Sequence, residues 1–182
     1  MRLPIALAAA LLVLAGCNRQ AGHDLSSFPK DEWPSPGGDP GKAHFSALTD
    51  IDAANVGRLG VAWEADLGTK RGNESTPVMV GGRLFTAGEA GRVFAFDAET
   101  GKQLWTFLPE IDGRAYRIAC CDNVNRGVAV ADGLLYVAAL DGKLYALDQA
   151  TGKIVWQANT TDGQDRILAS TGAPEVAGDV VV

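Results

Sequence analysis

The chain repeats itself, and the size of the repeat limits what it can fold into. Gly82-Arg83-Leu84-Phe85-Thr86 leads to Gly91-Arg92-Val93-Phe94-Ala95-Phe96-Asp97-Ala98-Glu99-Thr100-Gly101-Lys102-Gln103-Leu104-Trp105. Gly133-Leu134-Leu135-Tyr136-Val137 leads in the same way to Gly142-Lys143-Leu144-Tyr145-Ala146-Leu147-Asp148-Gln149-Ala150-Thr151-Gly152-Lys153-Ile154-Val155-Trp156, so that Trp105 recurs as Trp156, 51 residues on. A third unit opens at Ala173-Pro174, and an earlier one leaves its end at Leu59-Gly60-Val61-Ala62-Trp63. Apolar residues alternate with polar ones over short runs, which is strand period. Asp97 to Gly101 and Asp148 to Gly152 are turns: the acid can accept hydrogen bonds from its own backbone, and the glycine can take positive φ. Two unrelated hairpins would not reproduce Asp-x-x-Thr-Gly-Lys-x-x-Trp in register. A unit of several short strands cannot bury its apolar face alone and must stack on its neighbours. The expected fold is all-β, a β-propeller, with the tryptophan of each unit packed between adjacent sheets.

The repeat is longer than a minimal blade. The surplus lies mainly between Trp105 and Val128, and it carries Cys120-Cys121-Asp122-Asn123-Val124-Asn125-Arg126-Gly127. Insertions specific to one repeat tend to gather on one face, often the binding face. Adjacent cysteines can be joined in a strained ring that makes a stiff apolar plate, can both be free and buried, or can pair elsewhere. A metal site is a further reading, but the chain has only His23 and His44 and no second cysteine pair to complete one. Arg126, one short loop away, can grip a carboxylate or a quinone oxygen with two hydrogen bonds. An apolar platform beside a fixed cation suits a flat, polyanionic ligand.

The N-terminus reads as a targeting segment. Arg2 precedes an apolar run from Leu3 to Leu14 that is too short to span a bilayer and ends in small residues. Leu14-Ala15-Gly16-Cys17 resembles a bacterial lipobox, which implies a signal peptide over 1–16 and a lipidated Cys17 at the mature terminus. Asn18 is not the aspartate that retains many lipoproteins at the inner membrane. The expected location is therefore the periplasmic side of a Gram-negative envelope, anchored to the outer membrane, where disulfides persist. Residues 17–42 are polar and rich in Pro and Gly, as a tether is, and 43–182 form the expected propeller portion. A net charge of −6 without a basic cluster argues against nucleic acid as a partner.

Four motifs carry a family resemblance. They are Glu74-Ser75-Thr76-Pro77; Cys120-Cys121-Asp122 with Val124-Asn125-Arg126-Gly127; Thr160, four residues beyond Trp156; and Thr171-Gly172-Ala173-Pro174. The opening segment adds Gly37-Gly38-Asp39, Phe45-Ser46-Ala47-Leu48, Ile51 and Asn55-Val56 through Ala62-Trp63. From about Trp33 to Val182 the chain resembles the N-terminal part of the PQQ-dependent (pyrroloquinoline quinone) alcohol dehydrogenases of the methanol/ethanol family. It departs from the pattern at His44, where the family usually has arginine, and at Ala169-Ser170. The third repeat also reads as one residue short near Gly178.

The resemblance implies a vicinal disulfide between Cys120 and Cys121 lying over one face of the quinone. It implies that Arg126 offsets the cofactor's negative charge, and that Glu74, Thr160, Thr171, Gly172 and Ala173 hydrogen-bond it; Thr161 could stand in for Thr160. Glu74 needs a proton or a partner, because a bare carboxylate repels a tricarboxylate. The implied reaction is oxidation of a primary or secondary alcohol, with electrons passing to a cytochrome c or a membrane quinone. It requires calcium as Lewis acid and an aspartate as general base. The calcium ligands, that aspartate and the tryptophan floor of the site are all expected downstream of Val182, so no catalytic residue and no metal ligand is expected in this chain. The family's propeller has eight blades and this chain holds roughly two complete ones. It is thus expected to be an incomplete, inactive portion of a larger enzyme. A lipoprotein propeller scaffold of outer-membrane assembly shares the lipobox and the tryptophan repeats, but has no use for Cys120-Cys121, Arg126 or Glu74. A sugar-oxidising quinoprotein is disfavoured by the adjacent cysteines.

Overall fold

The computed structural model describes residues 31–38, 41–69, 72–161 and 168–182, with Cys120 and Cys121 described by their backbone alone. The expected signal peptide, Cys17 and Asp39 lie outside the described residues.

Each repeat forms one four-stranded antiparallel sheet. The first contains β1 (Val78–Val80), β2 (Arg83–Ala87), β3 (Val93–Asp97) and β4 (Gln103–Phe107), in sequence order. A connection holding the one-turn helix α1 (Ala115–Ile118) and β5 (Cys120–Asn123) leads to the second sheet. That sheet contains β6 (Ala129–Ala131), β7 (Leu134–Ala138), β8 (Lys143–Asp148) and β9 (Ile154–Asn159), again in order. A hairpin of β10 (Val176–Ala177) and β11 (Val180–Val181) begins a third. These are the blades of the expected β-propeller.

The repeat extends to backbone detail. The β1–β2 and β6–β7 hairpins turn through Gly81-Gly82 and Asp132-Gly133, all four at positive φ, the geometry of a two-residue turn that matches strand twist. The register of the third strand against the fourth slips after Ala95 in one blade and after Ala146 in the other, at equivalent places. The β10–β11 pairing joins Ala177 to Val180 as Val80 joins Arg83, across the same two-residue turn. The expected deficit near Gly178 is therefore absent: Gly178 corresponds to Gly81, not to Gly82.

The core lies between blades. Val78, Phe85, Val93, Ala95 and Phe107 of the first blade pack with Leu135, Val137, Tyr145 and Leu147 of the second, and Phe107 meets the Tyr145 ring edge-on at 5.1 Å. The other face of the second blade, with Ala129, Tyr136 and Ala146, packs against Val176 and Val181 of the third hairpin. Both faces of the inner strands are covered, so Val93 to Phe96 is buried without alternation.

Tryptophan locks each unit to the next. Trp63 donates its indole N–H to the Ala98 carbonyl at 3.0 Å, and Trp105 donates to the Gln149 carbonyl at 3.3 Å. Each ring lies flat over the glycine of the next turn: a Cβ on Gly101 would come within 2.5 Å of Trp63, and one on Gly152 within 2.5 Å of Trp105. The stretch expected as tether joins the fold ahead of residue 43. Trp33 exchanges two backbone hydrogen bonds with Met79, each 2.8 Å, and the Gly81 N–H donates to Glu32 at 3.0 Å.

Candidate functional site

The loops entering β1, β6 and β10 meet at one end of the sheets. Their backbones are hydrogen-bonded in series: the Thr76 N–H donates to the Arg126 carbonyl at 3.1 Å, and the Arg126 N–H donates to the Thr171 carbonyl at 3.0 Å. Arg126 is thus gripped on both sides by segments from neighbouring repeats. Gly127 follows at φ +144, where a Cβ would crowd the Thr76 carbonyl oxygen at 3.2 Å. No other residue type fits there without strain.

The side chains converge as the backbones do. One guanidinium nitrogen of Arg126 donates to the Thr171 hydroxyl at 2.6 Å, and the other lies 3.0 Å from the Glu74 carboxylate. The side chains of Arg126 and Glu74 remain 45% and 47% exposed, which leaves the cation facing solvent and open to an incoming anion. An ion pair this exposed contributes at most about 1 kcal/mol to stability. Its effect is to orient Arg126 and to give Glu74 the partner that its charge requires beside an anionic ligand. Ser75 anchors the Glu74 loop by accepting the Ala87 N–H at 2.9 Å and the Thr86 hydroxyl at 3.1 Å.

A cleft of about 440 Å³ opens beside this cluster, lined by Thr160, Ser170, Gly172 and Ala173, by Ala138 and Leu144 of the second blade, and by Pro174, Val181 and Val182. The Thr160 hydroxyl donates to the Gly142 carbonyl at 2.7 Å. Thr161 instead is buried, with its hydroxyl bonded to Asn159 at 2.7 Å. Thr160, not its neighbour, faces the cleft.

The connection to the second blade is fastened separately. Asp141 accepts from Lys143 at 2.8 Å and from the Asp112 N–H at 3.1 Å, while Lys143 also reaches the Glu110 carbonyl at 3.0 Å. The Asp141 carboxylate holds the Lys143 ammonium above its ordinary pKa. Asp122, next to the cysteines, takes φ +66, which aspartate tolerates better than most residues. The pairing of Cys120 with Cys121 concerns side chains outside those described.

The structure thus joins Glu74, Arg126 and Thr171 directly and places Thr160, Gly172 and Ala173 on the adjoining cleft. Ser75 and Asn125 fall inside the Glu74 and Arg126 motifs, where sequence alone assigns neither a role. The signal for Asn125 was an amide one residue before Arg-Gly in a loop, where its side chain can satisfy the backbone.

A family profile described as "PQQ: Glucose/ethanol/alcohol dehydrogenase, beta-propeller domain" matches residues 33–155. The chain is 47% identical over 152 residues to the quinohemoprotein alcohol dehydrogenase of Comamonas testosteroni, covering 83% of this chain and 22% of that protein. The crystal structure of that relative superposes with a TM-score of 0.78, covering 82% of this chain and 22% of that one. The quinohemoprotein alcohol dehydrogenase ADH IIB of Pseudomonas putida is 42% identical over 181 residues, covering 99% of this chain and 26% of that protein. The 1-butanol dehydrogenase (cytochrome c) of Thauera butanivorans is 43% identical over 152 residues, covering 83% and 22%. The chain therefore spans about a quarter of the length of the curated relatives it matches.

Proposed function

Because this chain belongs to the PQQ-dependent glucose/ethanol/alcohol dehydrogenase β-propeller family, we propose that it supplies the arginine-bearing wall of a PQQ site in a dehydrogenase acting on primary or secondary alcohols. The observation that carries this is the half-exposed Arg126 guanidinium, held by Thr171 and Glu74, with Gly172 and Ala173, the residues after Thr171, lining a cleft together with Thr160. The donor set fits the group. A planar tricarboxylate with an ortho-quinone needs one cation, several neutral donors and an apolar wall, and these residues supply them. Arg126 would bind carboxylate or quinone oxygen. Thr160, Thr171 and the backbone of Gly172 and Ala173 would give neutral hydrogen bonds, and Cys120 and Cys121, joined as a disulfide, would cover one face. Glu74 would hold Arg126 and share its protons. When bound, PQQ supplies the two-electron acceptor that this set of side chains lacks.

Calcium would act as Lewis acid on the quinone through ligands other than the residues named here. Electrons would leave to a cytochrome c or a quinone. A signal peptide over 1–16 would direct export and be removed, and a lipid on Cys17 would hold the protein at the periplasmic face of a membrane. Radiolabelled palmitate retained by the wild type and lost in Cys17→Ser would support the anchor; equal labelling would remove it.

The direct test is titration of the apo-protein with PQQ, followed by absorbance of the bound quinone and quenching of tryptophan fluorescence. Saturable binding is expected, with Arg126→Gln weakening it by roughly ten- to hundredfold, the usual worth of hydrogen bonds to a charged group. Absence of saturable binding, or full affinity in Arg126→Gln, would sink the reading.

A further inference from the structure

Asn125 is 1% exposed, among the most deeply buried polar residues described. Its amide nitrogen donates to the Ala138 carbonyl at the end of β7, at 2.8 Å, and its amide oxygen accepts the Gly127 N–H at 2.9 Å. The two bonds bracket Arg126. The first ties the loop to β7 of the second blade and the second closes the turn around Arg126, while Thr76 and Thr171 hold the Arg126 carbonyl and N–H from outside. A backbone held at so many points sends its side chain out in one direction. That direction brings the guanidinium to Thr171 and Glu74. A buried amide is costly unless both its donor and its acceptor are satisfied. A leucine would fill similar space without that cost, but it would leave the turn around Arg126 undefined.

We propose that Asn125 is a positioning residue of the PQQ site: it touches no ligand, and it aims the Arg126 guanidinium at Thr171 and Glu74. The proposal rests on the PQQ reading above, and its test separates the two. Asn125→Asp keeps the shape and the acceptor for Gly127 but loses the donor to Ala138. PQQ affinity of the apo gene product is measured for wild type, Asn125→Asp, Arg126→Gln and the double variant. An effect exerted through Arg126 disappears when Arg126 is gone. Asn125→Asp is therefore expected to weaken PQQ about tenfold in the wild-type background and less than about twofold in the Arg126→Gln background. Equal losses in both backgrounds, or full affinity in Asn125→Asp, would overturn the positioning role and leave the PQQ reading standing. A wild type that does not bind PQQ would overturn both. Should Asn125→Asp not fold, Asn125→Ser carries the same cycle, since its hydroxyl can still accept from Gly127 but cannot reach Ala138.

Discussion

Single residues carry the sharpest tests. Gly101 and Gly152 each lie under a tryptophan ring and each takes positive φ, +69° and +71°. Gly152→Ala would bring a methyl into the Trp105 ring and strain the backbone at once, and should destabilise by about 1–3 kcal/mol. Urea unfolding of the variant measures it; a midpoint equal to wild type would show that the indole is not seated there in solution. Glu74 makes the opposite prediction. Its pair with Arg126 is half exposed, so Glu74→Gln should change global stability by less than about 1 kcal/mol in the same assay. A larger loss would mean that the pair is structural. The residue types at these positions were legible in advance, since Gly after Thr in a repeated turn and Arg beside a cysteine pair both have few uses. Their partners were not legible, because Trp63 and Ala98, or Arg126 and Thr171, are distant along the chain.

At the scale of elements, the turns between third and fourth strands are built twice from the same parts. Asp97 accepts both the N–H and the hydroxyl of Thr100, at 2.8 and 2.6 Å, and Asp148 accepts the same pair from Thr151 at the same distances. The Thr100 and Thr151 hydroxyls hold these two carboxyls below the usual carboxylate pKa. In the connection before β5, the Arg114 guanidinium lowers Asp112 from 3.8 to about 2. A carboxyl with a lower pKa in the folded state favours folding at neutral pH. Its contribution is whole above the unfolded value and fades as pH falls through the folded one. For Asp112 that window runs from 3.8 down to about 2. In Arg114→Ala, carboxyl NMR should find Asp112 titrating higher than in wild type but still below 3.8, since the N–H of residue 114 still donates to it; an unchanged midpoint would assign the shift to another group. The strands were readable as short apolar runs bounded by repeated turns, although Val93 to Phe96 is buried without alternation. The third repeat reads one residue short near Gly178, yet strand pairing gives its hairpin the same two-residue turn as the first, with Gly178 in the place of Gly81.

The whole molecule is a stack whose faces are covered unequally. Ile154 and Val155 on β9 are 51% and 56% exposed, and Phe45, Leu59 and Val61 of the opening segment are also open to solvent. Apolar surface of this kind favours association. The polypeptide of 182 residues, made by itself, should elute above its monomer mass of 19.0 kDa in size exclusion with light scattering. The sequence by itself determined the blades and their turns, because each rests on a pattern repeated within one unit and on local backbone chemistry. Only the tertiary structure decided that Glu74, Arg126 and Thr171 meet, that Thr160 rather than Thr161 faces the cleft, and that Asn125 stands behind Arg126. These contacts join loops from successive repeats, and stacking of the blades, not any local preference of the chain, brings those loops together.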